Sequence, residues 1–499
     1  MTKIQIKEIK QLVRKSLKRD YPGFRRLKKK VKKQILLQVL EHVVDNYDQT
    51  TPIKATNYEL CGVDKIPSNI ITLDRMETLV NNHHTGMLSL KLRNRTSAVK
   101  DPELQFINEL CNWSFINALI APVSYSPAHR DKHPVHLFKA ELLKALQYPE
   151  VHYRKFCDKK INPKDKRENR AFIGLKAGQI IDHSELSKFR AGLSYDRLIN
   201  VIVYFIHLFL KEKGLTKNVM YAVDSTELAE KISNYPLAKL KIGKDEIRLY
   251  RDIDADCGPR RTKRDKSNFI VGYRLHTLTV IDPERQVAYP LLSLLASANH
   301  HDSNFLVMLV ELGKAIGLDL NIIIGDQAYG DEEENDDIQK QHHVTILTQP
   351  KTIKKLPDFV DAETFQVYHN DMCDRTMTWR GITDDREHEY VCEASDVCPL
   401  AGHCDKIRHI PVDSGAFGQI PYHIKQVQEI CNMRKVAERP FNLLKHREGL
   451  EPLRTVSRKT TRTVTVIANI ATLLIEIAGF RRTTKVSKNE QLKLFQEAA

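Results

Sequence analysis

Val219-Met220-Tyr221-Ala222-Val223-Asp224 is a short apolar run that ends in a carboxylate, with Ser225 and Thr226 behind it. β-Branched and aromatic side chains of this kind suit a buried, pleated strand. Further on, Asn321-Ile322-Ile323-Ile324-Gly325-Asp326-Gln327-Ala328-Tyr329 repeats the pattern, a β-branched run ending in Gly-Asp. A third stretch, Cys431-Asn432-Met433-Arg434-Lys435-Val436-Ala437-Glu438-Arg439-Pro440-Phe441-Asn442-Leu443-Leu444-Lys445, reads as a helix. At 3.6 residues per turn, Arg434, Glu438, Phe441 and Lys445 fall on one face. Pro440 lacks a backbone N–H and clashes with the preceding turn, so it implies a kink or a restart with Pro440 in a first turn. Two strands that each end in Asp and a helix carrying Glu can gather three carboxylates at one sheet edge. Hard divalent cations take oxygen ligands. Two such ions about 3.5–4 Å apart can activate an attacking oxygen and stabilise a leaving one. Asp224, Asp326 and Glu438 are therefore candidate catalytic residues and metal ligands, with Arg434 and Lys445 as phosphate contacts. Taken alone, the helix also reads as a solvated face with ordinary i, i+4 charge pairs.

The ordered set resembles the DDE transposases of bacterial insertion sequences, of the IS4 and IS1182 type. Arg434, Glu438 and Lys445 match the spacing of that family's Tyr-x2-Arg-x3-Glu-x6-Lys helix signature, and Cys431 stands at the Tyr position. Val223-Asp224-Ser225-Thr226 resembles the first Asp motif, and Gly325-Asp326-Gln327-Ala328-Tyr329 the second. Gly272-Tyr273-Arg274-Leu275-His276, Ala298-Asn299-His300-His301-Asp302-Ser303 and Asp182-His183-Ser184-Glu185-Leu186-Ser187-Lys188-Phe189-Arg190 are similar to further family blocks. The resemblance implies an α/β fold: an RNase H-like mixed-sheet catalytic core, interrupted by an insertion and preceded by helical regions. It implies two Mg²⁺ (or Mn²⁺) ions held by Asp224, Asp326 and Glu438, and cleavage and strand transfer of double-stranded DNA at an element's terminal inverted repeats. The implied assembly is a homodimer in a synaptic complex, in the bacterial cytoplasm at the nucleoid.

Composition agrees with a polyanionic partner. The chain has 499 residues, enough for two or three domains. Its formal net charge is +15, and the sequence pI is about 9.2. The opening Met1-Thr2-Lys3-Ile4-Gln5-Ile6-Lys7 lacks the apolar core of a signal peptide. The most apolar run, Val464 to Ile475, is shorter than the ~18 residues a membrane span needs and reads as a core helix. Nine cysteines without regular pairing suit a reducing cytosol.

In chain order, residues 1–95 form a basic, helix-prone region with a break at Tyr21-Pro22-Gly23. Its lysines either meet DNA phosphates or make a solvated basic face. His83 and His84 read as loop residues. Residues 96–215 read as helical: Phe106 to Ile120, Pro134 to Leu146, a helix capped at Asp182 or Ser184, and Tyr195 to Lys213. Residues 216–349 hold the first part of the core. Strands are expected at Asn218 to Asp224, Phe269 to Val280, Ala288 to Leu295, Asn321 to Asp326 and Val344 to Leu347. The 226–268 excursion carries the basic loop Arg260-Arg261-Thr262-Lys263-Arg264. The acids from Asp331 to Asp337 suit a helix N-terminus. Residues 350–424 are an insertion containing Cys373, Cys392, Cys398 and Cys404, which read either as a structural Zn²⁺ site, with His403 as a substitute ligand, or as free thiols in a β-rich segment. Residues 425–480 carry the Glu helix and a core helix, and 481–499 form a polar tail.

Overall fold

The computed structural model describes residues 66–83, 99–121, 132–216, 219–229, 236–242, 245–250, 252, 254–259, 269–300, 302–348, 358–361, 363–370, 373–394, 398, 406–412, 417, 420–447, 449–451 and 453–497. It also describes scattered positions between 13 and 39. His84, His403, Cys404 and the basic loop at 260–264 lie outside these residues.

The core is one mixed sheet. Strand β1 spans Met220–Ala229. A hairpin of β2 (Ala238–Ile242) and β3 (Asp245–Leu249) follows, then β4 (Asp256–Pro259). The long β5 (Phe269–Asp282) turns back as β6 (Val287–Ser297). Two short strands, β7 (Ile322–Gly325) and β8 (Thr345–Thr348), complete it. β5 runs antiparallel to β1 on one side and to β6 on the other, whereas β1, β7 and β8 are parallel. Leaving out the short β4 at the edge of β5, the order is β6-β5-β1-β7-β8. An antiparallel meander followed by two parallel strands on the far side of the first is the RNase H-like arrangement expected from the sequence.

β1 runs further than expected. It continues past Asp224 to Ala229 because β5 offers backbone partners along its whole length, as far as Ala229 opposite Gly272. On its other edge β1 pairs with β7 only at Tyr221 and Ala222. Asp224 therefore sits mid-strand, at the point where β1 loses its parallel neighbour. Such openings beyond strand carboxyl ends are where open α/β sheets carry their ligands.

Alternation along β1 sends successive side chains to opposite faces. Tyr221 and Val223 join Leu278, Val280 and Ile323 in the main core, together with the helices Tyr195–Lys213 and Leu306–Ala315 and part of the final helix. Ala222 points the other way, with Ile281, Ala288 and Ile324, and is covered by Ala437, Ile430, Met433 and Val436. The segment carrying Glu438 is thus pressed onto one face of the sheet by apolar contact, in which the fully buried Ile281 and Ile324 each contribute roughly 1.5–3 kcal/mol.

The helical layer follows the apolar periodicity. Tyr195–Lys213 has the expected bounds, Pro134–Gln147 begins on its proline, and Asp182 caps His183–Gly192 by accepting from the Ser184 amide at 2.7 Å. The single helix expected from Phe106 to Ile120 is instead two, Pro102–Leu110 and Trp113–Ile120. Asn112 breaks it by capping the second, its Oδ1 accepting from the Phe115 amide at 3.1 Å. Asp331 caps Glu332–His342, so the acid run does lie at a helix N-terminus. The final helix, Arg458–Glu497, continues through the stretch read as a polar tail. Its Arg458–Gly479 part is long and apolar enough to cross a membrane, but 83% of that window is buried inside the protein.

Two smaller cores stand apart. In the insertion, β9 (Tyr368–Asn370), β10 (Cys373–Thr376), β11 (Thr378–Ile382), β12 (Glu387–Val391) and β13 (Ile407–Pro411) form two small sheets around Tyr390, Ile410 and Phe417. The chain leaves the main sheet at β8 and returns at the Lys425–Asn432 helix, and Leu347 and Val427 pack in one cluster. Near the N-terminus, Val13, Leu17, Phe24, Ile35 and Val39 pack with Ala238, Leu240 and Leu249 of the β2–β3 hairpin.

Candidate active site

Register brings the first two carboxylates together. Tyr221 pairs with Ile323 and Ala222 with Ile324. Carried two residues past the end of that ladder, the register sets Asp326 alongside Asp224, close enough for its charge to act on the Asp224 carboxyl. Gly325 makes the approach possible: a Cβ there would stand 3.1 Å from the Tyr329 Cβ and 3.4 Å from a Val223 methyl. Asp326 then caps a short turn, its Oδ1 accepting from the Ala328 amide at 2.8 Å. Asp224 Oδ1 accepts from the Ser225 amide at 2.8 Å.

The third carboxylate arrives on a helix that is not a plain α-helix. Met433–Glu438 is wound as 3-10, Arg439–Asn442 as one α turn and Leu443–Arg447 as π. Pro440 lies in the first turn of the α piece, the restart that its missing N–H implies. The expected single face is therefore broken. At three residues per turn, positions four apart lie ~120° from each other, so Arg434 and Glu438 are not stacked. Arg434 nevertheless reaches the site, with Nη1 3.6 Å from Asp224 Oδ2. Glu438 is exposed, but its charge is felt at Asp224. Lys445 is held elsewhere, its Nζ 3.2 Å from Glu451 Oε2. Cys431, which stands where the resembled signature has Tyr, is a buried thiol packed against Leu347 and Val427, and burial pushes it up to about 11.

The electrostatics are those of a site short of positive charge. Burial pushes the Asp224 carboxyl up to about 7, and the negative charges of Asp326 and Glu438 push in the same direction. The Ser225 amide and the Arg434 guanidinium offset only part of this. A hard cation takes carboxylate oxygens and would offset this repulsion at Asp224. Among the described residues, however, no group of three His, Cys, Asp or Glu side chains is gathered closely enough to hold a metal ion.

A second layer of residues was quoted in the sequence blocks without a role. Tyr329 is buried, and burial with the charges of Asp302, Asp224 and Asp326 holds its hydroxyl protonated well above the usual range. Behind it, Arg274 Nη1 bonds Asp302 Oδ1 at 3.0 Å, and its Nη2 lies 3.5 Å from Glu227. His276 is buried and stacks on Phe305, ring centroids 4.0 Å apart. Burial and the charge of Arg458 push His300 down to about 4, so it is neutral. The two-residue period of β5 was the available signal: Arg274 and His276 share the face opposite Asp224 and buttress the sheet end.

In the insertion, Cys392 is buried and Cys398 half-buried, both as free thiols. The Cys373 backbone lies in β10, and Cys404 is outside the described residues.

Fold and site together define an RNase H-like domain with an acidic pair at the sheet opening and a third acid on the covering helix. No protein-family model and no curated protein matches the chain. Among solved structures, it is similar to a cryo-EM structure of a piggyBac transposase synaptic complex with hairpin DNA. The identity is 11% and the TM-score 0.31, over 81% of this chain and 77% of that one. At that score the likeness carries no functional weight.

Proposed function

We propose that this chain is a DNA transposase of the DDE type, similar to the IS4 and IS1182 groups, and that it cuts and rejoins DNA by phosphoryl transfer at terminal inverted repeats. The observation that carries the reading is the register that sets Asp326 beside Asp224 on the face covered by the Glu438 segment. Asp224, Asp326 and Glu438 would hold the metal, Mg²⁺ or Mn²⁺. When bound, it supplies Lewis-acid activation of the attacking oxygen and stabilisation of the leaving 3′-oxygen. Each carboxylate accepts one local amide through Oδ1, Asp224 from Ser225 and Asp326 from Ala328, and the substrate phosphodiester would approach at the opening beside β1. Arg434 sits close enough to exchange Asp224 for a phosphate and grip it bidentately. Lys445 would add a point charge once released from Glu451. No residue is needed as a covalent nucleophile. Double-stranded DNA is the partner, bound by two copies in a synaptic complex.

Full-length protein, a duplex bearing the element's end and Mg²⁺ should give nicked and strand-transferred products. Asp224→Ala, Asp326→Ala and Glu438→Ala should each lower product at least a thousandfold. Cleavage that survives all three removes the assignment. A second reading, a DNA-binding protein that keeps the fold without the chemistry, is favoured by the exposure of Glu438 and by the lack of a three-carboxylate cluster among the described residues. Duplex binding without any metal-dependent product would select it. A nuclease on the same scaffold would cut but never join. The insertion's cysteines support a separate proposal, a structural zinc, which elemental analysis of the purified chain decides.

A further inference from the structure

A cleft opens where the helical layer meets the chain that follows the Glu438 segment. Its walls are the helix Pro134–Gln147, the final helix and a strap that carries Gly449, Leu453 and Arg454. It encloses about 480 Å³, its open mouth included. The strap cannot settle inward to close it, because it is fixed at three points. Gly449 has φ +67°, and a Cβ there would stand 2.8 Å from the Pro149 Cβ. The Leu453 amide donates to the Ala229 carbonyl of β1 at 3.2 Å. Arg454 donates to the Glu150 backbone carbonyl, and through Nη2 to the Glu150 Oε2 at 2.8 Å.

The lining joins apolar side chains, Leu450, Leu453, Val464 and Ile467, to the cations Lys144 and Arg454. Lys144 is only 8% exposed. Its Nζ donates to the carbonyl oxygens of Pro149 at 3.1 Å and Tyr148 at 3.5 Å, and lies over the Tyr153 ring, 4.8 Å from the centroid. Those partners satisfy hydrogens and leave the charge unmatched. Of the charged groups that act on Lys144, Arg190 pairs with Glu141 and Arg454 with Glu150. Among the described residues, one positive charge therefore remains. Burial pushes the ammonium down to about 8, which leaves it charged at neutral pH. Buried charges ordinarily have a counter-ion. The buried Arg454 Nε has no hydrogen-bond partner either.

We propose that this cleft is a binding site for a small aliphatic carboxylate, its head paired with Lys144 beside Arg454 and its tail laid on Leu450, Leu453, Val464 and Ile467. A single negative charge balances the single unmatched positive one. A phosphate brings further charge and oxygens, and the apolar lining has no donors for them. A neutral amide leaves Lys144 without its counter-ion. A few convergent polar groups on an apolar lining are the usual make-up of a small-molecule site. The inference uses neither DNA nor a metal and stands apart from the proposed function.

The test is titration calorimetry of the full chain at neutral pH, in a buffer free of carboxylates, with hexanoate, hexanamide and inorganic phosphate as probes. Hexanoate should give saturable heat and slow the hydrogen exchange of the Leu450, Glu451 and Leu453 amides. The other two probes should do neither. Lys144→Met keeps the side chain's length and removes its charge, and should weaken hexanoate about tenfold to a hundredfold, the worth of a charge-assisted hydrogen bond. Ala145→Phe, which fills the cleft from its helix wall, should abolish binding and leaves Lys144 in place. No saturable heat with hexanoate at millimolar concentration overturns the proposal. So does equal binding of hexanamide or phosphate, or an unchanged hexanoate affinity in either variant.

Discussion

Asp224→Asn offers the most direct reading of the site's electrostatics. Asn keeps the shape of the side chain and removes its charge. In the folded protein the carboxyl titrates at about 7 because it is buried beside Asp326 and Glu438, against an ordinary value of 3.8. Between those values the folded state keeps a proton that the unfolded chain has shed. Stability therefore falls as pH rises through that window and levels off above it. A difference of about three units corresponds to about 4 kcal/mol by the plateau. The Asn variant escapes this loss. Denaturant titrations in EDTA should show the two proteins equally stable near pH 4, with the variant gaining steadily to about 4 kcal/mol above pH 7. Added Mg²⁺ should stabilise the parent at pH 8 and leave the variant unmoved. A gap independent of pH, or a variant less stable at pH 8, would refute the account of a charge held against its neighbours.

Three other outcomes follow from packing and pairing. Glu141 and Arg190 are a buried ion pair, and Tyr153 donates to the same carboxylate at 2.8 Å; Glu141→Ala strands the guanidinium and should cost about 3–5 kcal/mol in urea unfolding. Cys431→Tyr puts a large ring at a position packed against Leu347 and Val427, and overpacking should cost about 1–3 kcal/mol on the same assay. Gly325→Ala puts a methyl 3.1 Å from the Tyr329 Cβ and 3.3 Å from a Thr348 methyl, so it should lower the melting temperature and displace Asp326, reducing cleavage while duplex binding stays level.

The sheet was legible because its strands are self-announcing: a β-branched run has few other uses, and Ile322-Ile323-Ile324 or Val219 to Val223 admits little else. The helix Tyr195–Lys213 was legible for the same reason, a long apolar stripe between Ser194 and Gly214. What escaped was set by partners rather than by local preference. β1 outran its apolar run because β5 continued alongside it. The helix across 111–112 broke because Asn112 caps better than it propagates. In the Glu438 segment Pro440 replaced a uniform α-helix with tight and loose turns, and spacing on a uniform helix could not say where Lys445 would point. The pairing of the N-terminal helices with the β2–β3 hairpin joins segments some two hundred residues apart, which no local pattern encodes.

Because Leu347 and Val427 touch the same small cluster, the chain departs and comes back through a single doorway. Closing a loop across so narrow a gap costs little, and the cost grows only with the logarithm of its length. A change in the insertion's length is therefore expected to cost the sheet beneath it little stability.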